Sequence, residues 1–313
     1  MNFHVVIGFG PAGAATARLL AEQGHSVRVV TKSGRSPEPG IEHVACDATD
    51  SERLIEAVQG AAAIYSCAAP PYHHWASEWP PLASSACAAA EATGAVLVML
   101  GNLYGYGPVD GPMTEELPLA ATGSKGQVRA AAWEQARKLH EQGRIKAVEV
   151  RASDFFGPGV TDGGHLAGRV MPPLLRGKPV STLGNPDAPH SWTYLPDVAR
   201  ALAEVAGNER AWGRAWHVPT ERALSVREMV DRLAAQAGTG PVAVRRLPPA
   251  VLGVASLFSP LIRELKEIRY QFDRPFVVDS SAYEAAFAVR ATPLDEQVTA
   301  TVDWWRERLA ATK

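Results

Sequence analysis

A chain of 313 residues, 46% hydrophobic and 20% charged, has the make-up of an ordinary folded protein and is long enough for one large α/β domain or for a nucleotide domain with a smaller cap, so disorder is not the default. The formal net charge of −2 gives no support for nucleic acid as the main partner. The three cysteines, Cys46, Cys67 and Cys87, make an odd set without metal-ligand spacing; they read as buried small residues in a reducing compartment, and no metal site is expected.

The first element is a strand, His4 to Ile7, closed by Gly8, Gly10 and Gly13 and followed by a helical run from Ala14 to Gln23. Strand, tight turn and helix start in that order suit a dinucleotide pyrophosphate. Gly8 permits the turn, Gly10 lets the backbone approach the phosphates, Gly13 lets the helix lie close to the strand, and Pro11 and Ala12 complete the turn. The anion then meets helix N–H groups at the positive end of the dipole. No basic segment precedes this apolar run, so it does not read as a signal peptide.

The second strand, Ser26 to Val30, runs into Thr31-Lys32-Ser33-Gly34-Arg35. An acid here would bind the ribose 2′-hydroxyl of NAD(H), whereas Lys32 and Arg35 attract a 2′-phosphate, so NADP(H) is expected over NAD(H). After the third strand, His43 to Cys46, Asp47 is placed to bond the adenine, while Thr49 or Asp50 caps the helix Ser51 to Val58. The fourth strand, Ala63 to Ser66, ends in Cys67-Ala68-Ala69-Pro70, small residues that let the backbone pass close to the nicotinamide half.

The next loop, Pro71-Tyr72-His73-His74-Trp75, leaves the carboxyl edge of the sheet and makes a candidate substrate wall, with Tyr72, His73 and Trp75 as contacts. Packing of Trp75 and Trp79 on the sheet explains it equally well, and the adjacent imidazoles make a poor metal pair. A helix Leu82 to Ala92, a strand Val96 to Leu100, a helix Gly126 to Glu141 and a strand Lys146 to Arg151 follow. Strands alternating with helices predict a doubly wound parallel sheet, a Rossmann-type α/β fold, with its crevice at the strands' carboxyl ends. The later apolar stretch Val251 to Phe258 is too short to span a bilayer, which takes about 20 residues. A cytoplasmic protein without membrane association is expected.

Five segments, Gly8 to Gly13, Asn102 to Pro108, Arg151 to Gly159, Trp192 to Ala199 and Ala291 to Trp305, together resemble the extended short-chain dehydrogenase/reductase superfamily of nucleotide-sugar epimerases and dehydratases. The resemblance implies a Rossmann domain to about residue 160 and a smaller C-terminal α/β substrate lobe over residues 161–313, with chain crossings back to the sheet. It places Asp197 as cap of a helix from Val198. The lobe itself reads as mixed structure, with a helix Ser225 to Ala237, Ser225 as its N-cap and Glu228 three residues on, and a terminal helix Asp295 to Leu309. It also implies pairing through two helices into a homodimer; the alanine-rich helices suit that, and suit burial in a monomer equally.

The catalytic pattern departs from the superfamily. Its Tyr-x-x-x-Lys pair is absent after the fifth strand, and the family alignment sets Lys125 on the Tyr, Arg129 on the Lys and Asn102 near the Ser/Thr, so the chain resembles an atypical branch. Lys125 would then polarise or protonate a carbonyl oxygen, Arg129 on the same helical face would lower its pKa and reach the ribose or phosphates, and Asn102 would donate to the developing alkoxide. Tyr104 is a substitute acid; Lys125 and Arg151 count among the cofactor contacts; Tyr106, Asp154, Phe155, His190 and Trp192 complete the substrate set. The leading expectation is an NADP(H)-dependent reductase of a small apolar or aromatic carbonyl compound. A non-catalytic NADP-binding sensor or scaffold is the alternative, and a nucleotide-sugar epimerase or dehydratase, which the missing Tyr disfavours, is the third.

Overall fold

The apolar runs read as strands pair side by side, the inner ones buried on both faces and the edge strand Glu42–Ala45 partly exposed. The computed structural model describes residues 2–35, 38–161, 163–248 and 263–311; the stretch Val251 to Phe258 lies outside them. The chain forms β1 (Phe3–Ile7), α1 (Pro11–Glu22), β2 (Ser26–Thr31), β3 (Glu42–Ala45), α2 (Ser51–Ala57), β4 (Ala63–Ser66), α3 (Trp75–Thr93), β5 (Val96–Asn102), α4 (Ser124–Glu141) and β6 (Lys146–Ala152). Then come β7 (Asp154–Phe156), α5 (Met171–Leu174), β8 (Val180–Thr182), β9 (Trp192–Tyr194), α6 (Leu195–Ala206), β10 (Ala215–His217), α7 (Val226–Ala237) and β11 (Val244–Arg246), with later helices that include Leu294–Ala311.

Seven strands make one sheet in the order β10-β6-β5-β4-β1-β2-β3, every neighbouring pair parallel. Val5, Val6 and Ile7 of β1, Ile64 of β4 and Leu97 of β5 are fully buried, as the strands of a sheet covered on both faces must be. The chain divides into two compact units: Met1–Gly107, Pro118–Ala152 and Val198–Val218 form the first, and Pro108–Leu117, Ser153–Asp197 and Pro219–Lys313 the second. The first holds the sheet. The second holds two short parallel ladders, β7 with β9 and β8 with β11, and α7. Ser225 and Glu228 close a capping box on α7: the Glu228 N–H donates to Ser225 Oγ at 3.2 Å and the Ser225 N–H to Glu228 Oε2 at 2.7 Å.

Three elements depart from the sequence reading. Helix α3 starts at Trp75, not Leu82, and runs through Pro80 and Pro81; burial of Trp75 and Trp79, one turn apart on one face, offsets the lost N–H donors. The sheet gains β10, whose three residues are too few to show a period. Helix α6 starts at Leu195, so Asp197 sits within its first turn, where its carboxylate accepts the N–H and hydroxyl of Thr292 at 2.8 and 2.6 Å instead of capping from Val198. No helix among the described residues is long and apolar enough to cross a membrane.

Candidate active site

In the first unit β1 lies between β2 and β4, and the strand order reverses between β1 and β4, the place where such sheets carry a ligand crevice. A cavity of about 440 Å³ occupies it, lined by Gly8, Thr31, Lys32, Asp47, Ala68, Ala69 and Pro70, and also by Cys46, Ala48, Thr49, Pro71, His74 and Glu78. Gly8 has φ +91°, and a Cβ there would stand 2.6 Å from the Ala68 Cα; a Cβ on Gly13 would stand 2.2 Å from the Gly8 carbonyl oxygen. A Cβ on Gly10 would meet nothing within 4 Å. The first two glycines therefore let α1, β1 and the β4 loop touch, Gly10 borders open space, and of the three only Gly8 lines the cavity. Gly10 caps α1 without a side chain, Pro11 follows it, and the first turn holds no acid, so the positive end of the helix is left for an anion.

At the end of β2 the Lys32 ammonium lies 3.2 Å from Asp47 Oδ2. Asp47 Oδ1 accepts the Thr49 N–H at 3.1 Å and its hydroxyl at 2.8 Å. These Thr49 bonds, then Lys32, hold the Asp47 carboxyl below the ordinary carboxylate range. Asp50 caps α2, its carboxylate accepting the Arg53 N–H at 3.2 Å. Arg35 is exposed beyond the cavity lining, and no carboxylate comes from β2 itself. Cys46 lines the cavity and Cys67 does not; burial pushes the Cys67 thiol up to about 12, which makes it inert.

Further along the same edge, a 3-10 turn at Tyr72–His74 leads into α3, and another at Tyr104–Tyr106 follows β5. The Tyr72 and Tyr104 hydroxyl oxygens are 2.8 Å apart. Trp75 donates its indole N–H to the Pro70 carbonyl at 2.8 Å and stacks on Tyr72 at 4.9 Å and Tyr104 at 6.0 Å. Asn102 Oδ1 accepts the Tyr104 N–H at 3.2 Å, so its oxygen shapes the turn. A Cβ on Gly126 would sit 2.4 Å from the Tyr104 carbonyl oxygen, and that close approach brings the buried Lys125 to the same turn, its Nζ 5.9 Å from the Tyr72 ring centroid. Tyr72, Trp75, Tyr104, Asn102 and Lys125 thus gather in one place.

Arg129, Arg151, Tyr106, His73 and Trp192 do not line this cavity. Arg129 lies over the Trp79 ring at 4.2 Å and donates to the Leu100 carbonyl, which ties it to α3 and β5, and burial lowers its pKa to about 10. Arg151 donates to Glu149 Oε2 and to the Tyr106 hydroxyl, both at 2.6 Å, and that hydroxyl is 2.7 Å from His217 Nε2. This network joins β6, its sheet neighbour β10 and the turn after β5, all of its residues are buried, and neither Arg151 nor Tyr106 lines the cavity. His73 packs its ring on His74 at 4.1 Å, and it is His74, 2.7 Å from Glu78, that lines the cavity.

In the second unit Asp154 Oδ2 lies 2.9 Å from His190 Nε2, and His190 Nδ1 is 3.1 Å from the Gln271 carbonyl oxygen. Burial works to raise the Asp154 pKa, but the His190 bond and charge outweigh it and hold the carboxyl low. Trp192 donates to the Leu224 carbonyl at 2.8 Å, packs on His190 at 4.3 Å and is buried. Phe155 is half-buried on β7, in register with Thr193.

A parallel sheet with a glycine-edged cavity at its switch point defines an α/β protein of Rossmann type. The model of the NAD dependent epimerase/dehydratase family matches residues 5–218, and the chain belongs to that family. Among solved structures it is similar to a dTDP-glucose 4,6-dehydratase from Bacillus anthracis in complex with NAD, with 15% identity, a TM-score of 0.81 and 99% and 98% of the two chains covered. It is similar too to DesIV, the dTDP-glucose 4,6-dehydratase from Streptomyces venezuelae with NAD and TYD bound, at 20% identity and a TM-score of 0.79 over 99% and 98%. A UDP-glucuronic acid 4-epimerase from Bacillus cereus in complex with NAD matches at 15% identity and a TM-score of 0.75, over 97% of each chain. No curated protein matches.

Proposed function

We propose that the chain is an NADP(H)-dependent oxidoreductase that reduces a carbonyl of a small apolar or aromatic substrate. The supporting observation is a glycine-edged dinucleotide cradle on the same strand edge as a buried lysine and a turn bearing Tyr104. The cradle fits the cofactor: the open side of Gly10 admits phosphates, the helix end attracts them, and the small residues Ala68 and Ala69 leave room beside β4. When bound, a reduced nicotinamide dinucleotide supplies hydride. The chain's part is to hold the substrate oxygen and bring a proton to it: Lys125 draws negative charge onto that oxygen, and the hydroxyl-bonded phenols of Tyr72 and Tyr104 beside it supply the proton. Replacing Lys125 with Met, which keeps the volume, is expected to lower kcat about a hundredfold or more across a panel of ketones and aldehydes; unchanged turnover would remove Lys125 from the mechanism.

The dinucleotide preference rests on Lys32 in the cavity lining and the lack of a carboxylate from β2, with Arg35, exposed just beyond that lining, as a second cation three residues on. Lys32→Ala and Arg35→Ala are each expected to weaken NADPH binding about tenfold, the worth of one charge-assisted bond, and to leave NADH binding unchanged. Tighter binding of NADH than NADPH by the unaltered protein would refute the preference. The solved neighbours favour a second reading, nucleotide-sugar epimerisation or dehydration. Turnover of a UDP- or dTDP-sugar with no turnover of simple carbonyls would establish it in place of the first.

A further inference from the structure

Tyr72 and Tyr104 reach one another because they follow β4 and β5, strands that pair in register from Ala63 with Val96 to Ser66 with Met99. With their oxygens 2.8 Å apart, one phenol donates to the other, and the pair spends one of its two protons between its own oxygens. Tyr104 is buried, whereas Tyr72 is half-buried and follows Pro70 and Pro71 of the cavity lining. Trp75 stacks nearly parallel on Tyr72, at 7°, and covers Tyr104 as well, which fixes both rings. One cation of α4 stands against the pair: Lys125 lies over the Tyr72 ring, while Arg129, one turn on, lies over Trp79 and its charge is felt first by Glu149 and Arg151 and only then by the two phenols. The other titratable groups on the turn and the start of α3 are His73, His74 and Glu78, the last two paired with each other. Packing alone needs neither the shared hydroxyl bond nor buried positive charge, and both of these stabilise a phenolate.

We propose that Tyr72 is the catalytic proton donor to the substrate oxygen and that Tyr104 is the positioning residue behind it; this rests on the oxidoreductase reading. In the reduction the carbonyl carbon gains a hydride, with its two electrons, from the reduced nicotinamide dinucleotide, and the C=O π pair moves onto oxygen. The Tyr72 O–H bond breaks, and its proton forms the O–H of the alcohol. The Tyr72 phenolate accepts the Tyr104 hydroxyl bond and regains a proton from water after the product leaves.

The test compares the full chain with Tyr72→Phe and Tyr104→Phe, which keep ring and volume. Ultraviolet titration of tyrosinate in the dinucleotide-free protein is expected to show one phenol ionising at least one pH unit below the ordinary value of about 10. That phase disappears in Tyr72→Phe and moves back up in Tyr104→Phe. With NADPH and a carbonyl that the unaltered protein reduces, Tyr72→Phe is expected to lower kcat about a hundredfold while the NADPH Kd and KM stay within about threefold. Tyr104→Phe shifts the basic limb of the kcat profile upward. Full kcat in Tyr72→Phe, or an early phenol that survives it, overturns the assignment. Absence of any carbonyl reduction by the unaltered protein defeats the oxidoreductase reading instead; the titration then decides alone whether Tyr72 is the acidic member of the pair.

Discussion

Gly13→Ala and Gly10→Ala are expected to fail in opposite ways, the first in folding and the second in binding. At Gly13 an added Cβ stands 2.2 Å from the Gly8 oxygen, 3.1 Å from its carbonyl carbon and 3.3 Å from the Cys67 Cβ. Backbone cannot move aside as a side-chain tip can, so α1 must lift from β1, a change that costs about 3 kcal/mol. For a unit of this size that lowers the thermal midpoint by roughly 6–12 °C. At Gly10 the backbone has φ −69° and ψ −177°, open to any residue, and the methyl meets no protein atom within 4 Å. The Gly10→Ala midpoint therefore stays within about 2 °C, since a surface change without such contacts is worth about half a kcal/mol at most. The same methyl occupies the approach to the helix end, and dinucleotide affinity should fall about tenfold or more, the loss of one or two charge-assisted bonds. Scanning calorimetry and titration calorimetry on the two variants separate these effects. Unaltered NADPH and NADH affinity in Gly10→Ala would show that phosphates do not approach there, and the cradle reading would fall with it.

These glycines were legible in the chain because their work is local: strand, turn and helix start within one short segment. The alternation of strand and helix carried the sheet for the same reason. What remained hidden depends on contacts between distant residues. Asp47 read as a free adenine contact, yet β2 and β3 are neighbours and bring Lys32 to it. Helical spacing correctly set Arg129 one turn beyond Lys125, but the partner that captures it, Trp79, belongs to a helix whose first turns were concealed by Pro80 and Pro81. Arg151 and Tyr106 read as ligand contacts by residue type; β10, too short to show a pattern, supplies the His217 that helps enclose them. The Tyr72–Tyr104 pair spans 32 residues of sequence and exists only because β4 and β5 adjoin.

Acidification from pH 6.5 to 4 is expected to remove about 3 kcal/mol of stability for each of two buried histidines, most of it above the range where carboxylates titrate. His4 is lowered from 6.5 to about 4, first by burial and then by the neighbouring His25, whose ring lies 4.6 Å away. His165 is lowered from 6.5 to about 4, chiefly by burial. Thr182 spends its hydroxyl proton on the Leu183 carbonyl at 3.1 Å, so His165 Nε2, 2.7 Å from that hydroxyl, must donate, and a further proton would charge a ring stacked on Phe272. Because the folded pKa lies below the unfolded one, the unfolded chain binds the extra proton between those values. The contribution is complete above about pH 6.5, falls as pH drops through the window, and is gone below about pH 4. The carboxyls held low, Asp47 and Asp154 among them, add their own loss only at lower pH. Denaturant unfolding from pH 7.5 to 4.5 measures the slope, and His4→Gln and His165→Gln should each reduce it by about one proton. His4 belongs to the first unit and His165 to the second. If the units unfold in separate transitions, each variant should flatten only its own; stability that stays level from pH 7 to 5, or a slope unchanged by either substitution, would mean that these imidazoles remain wet enough to take up a proton in the folded state.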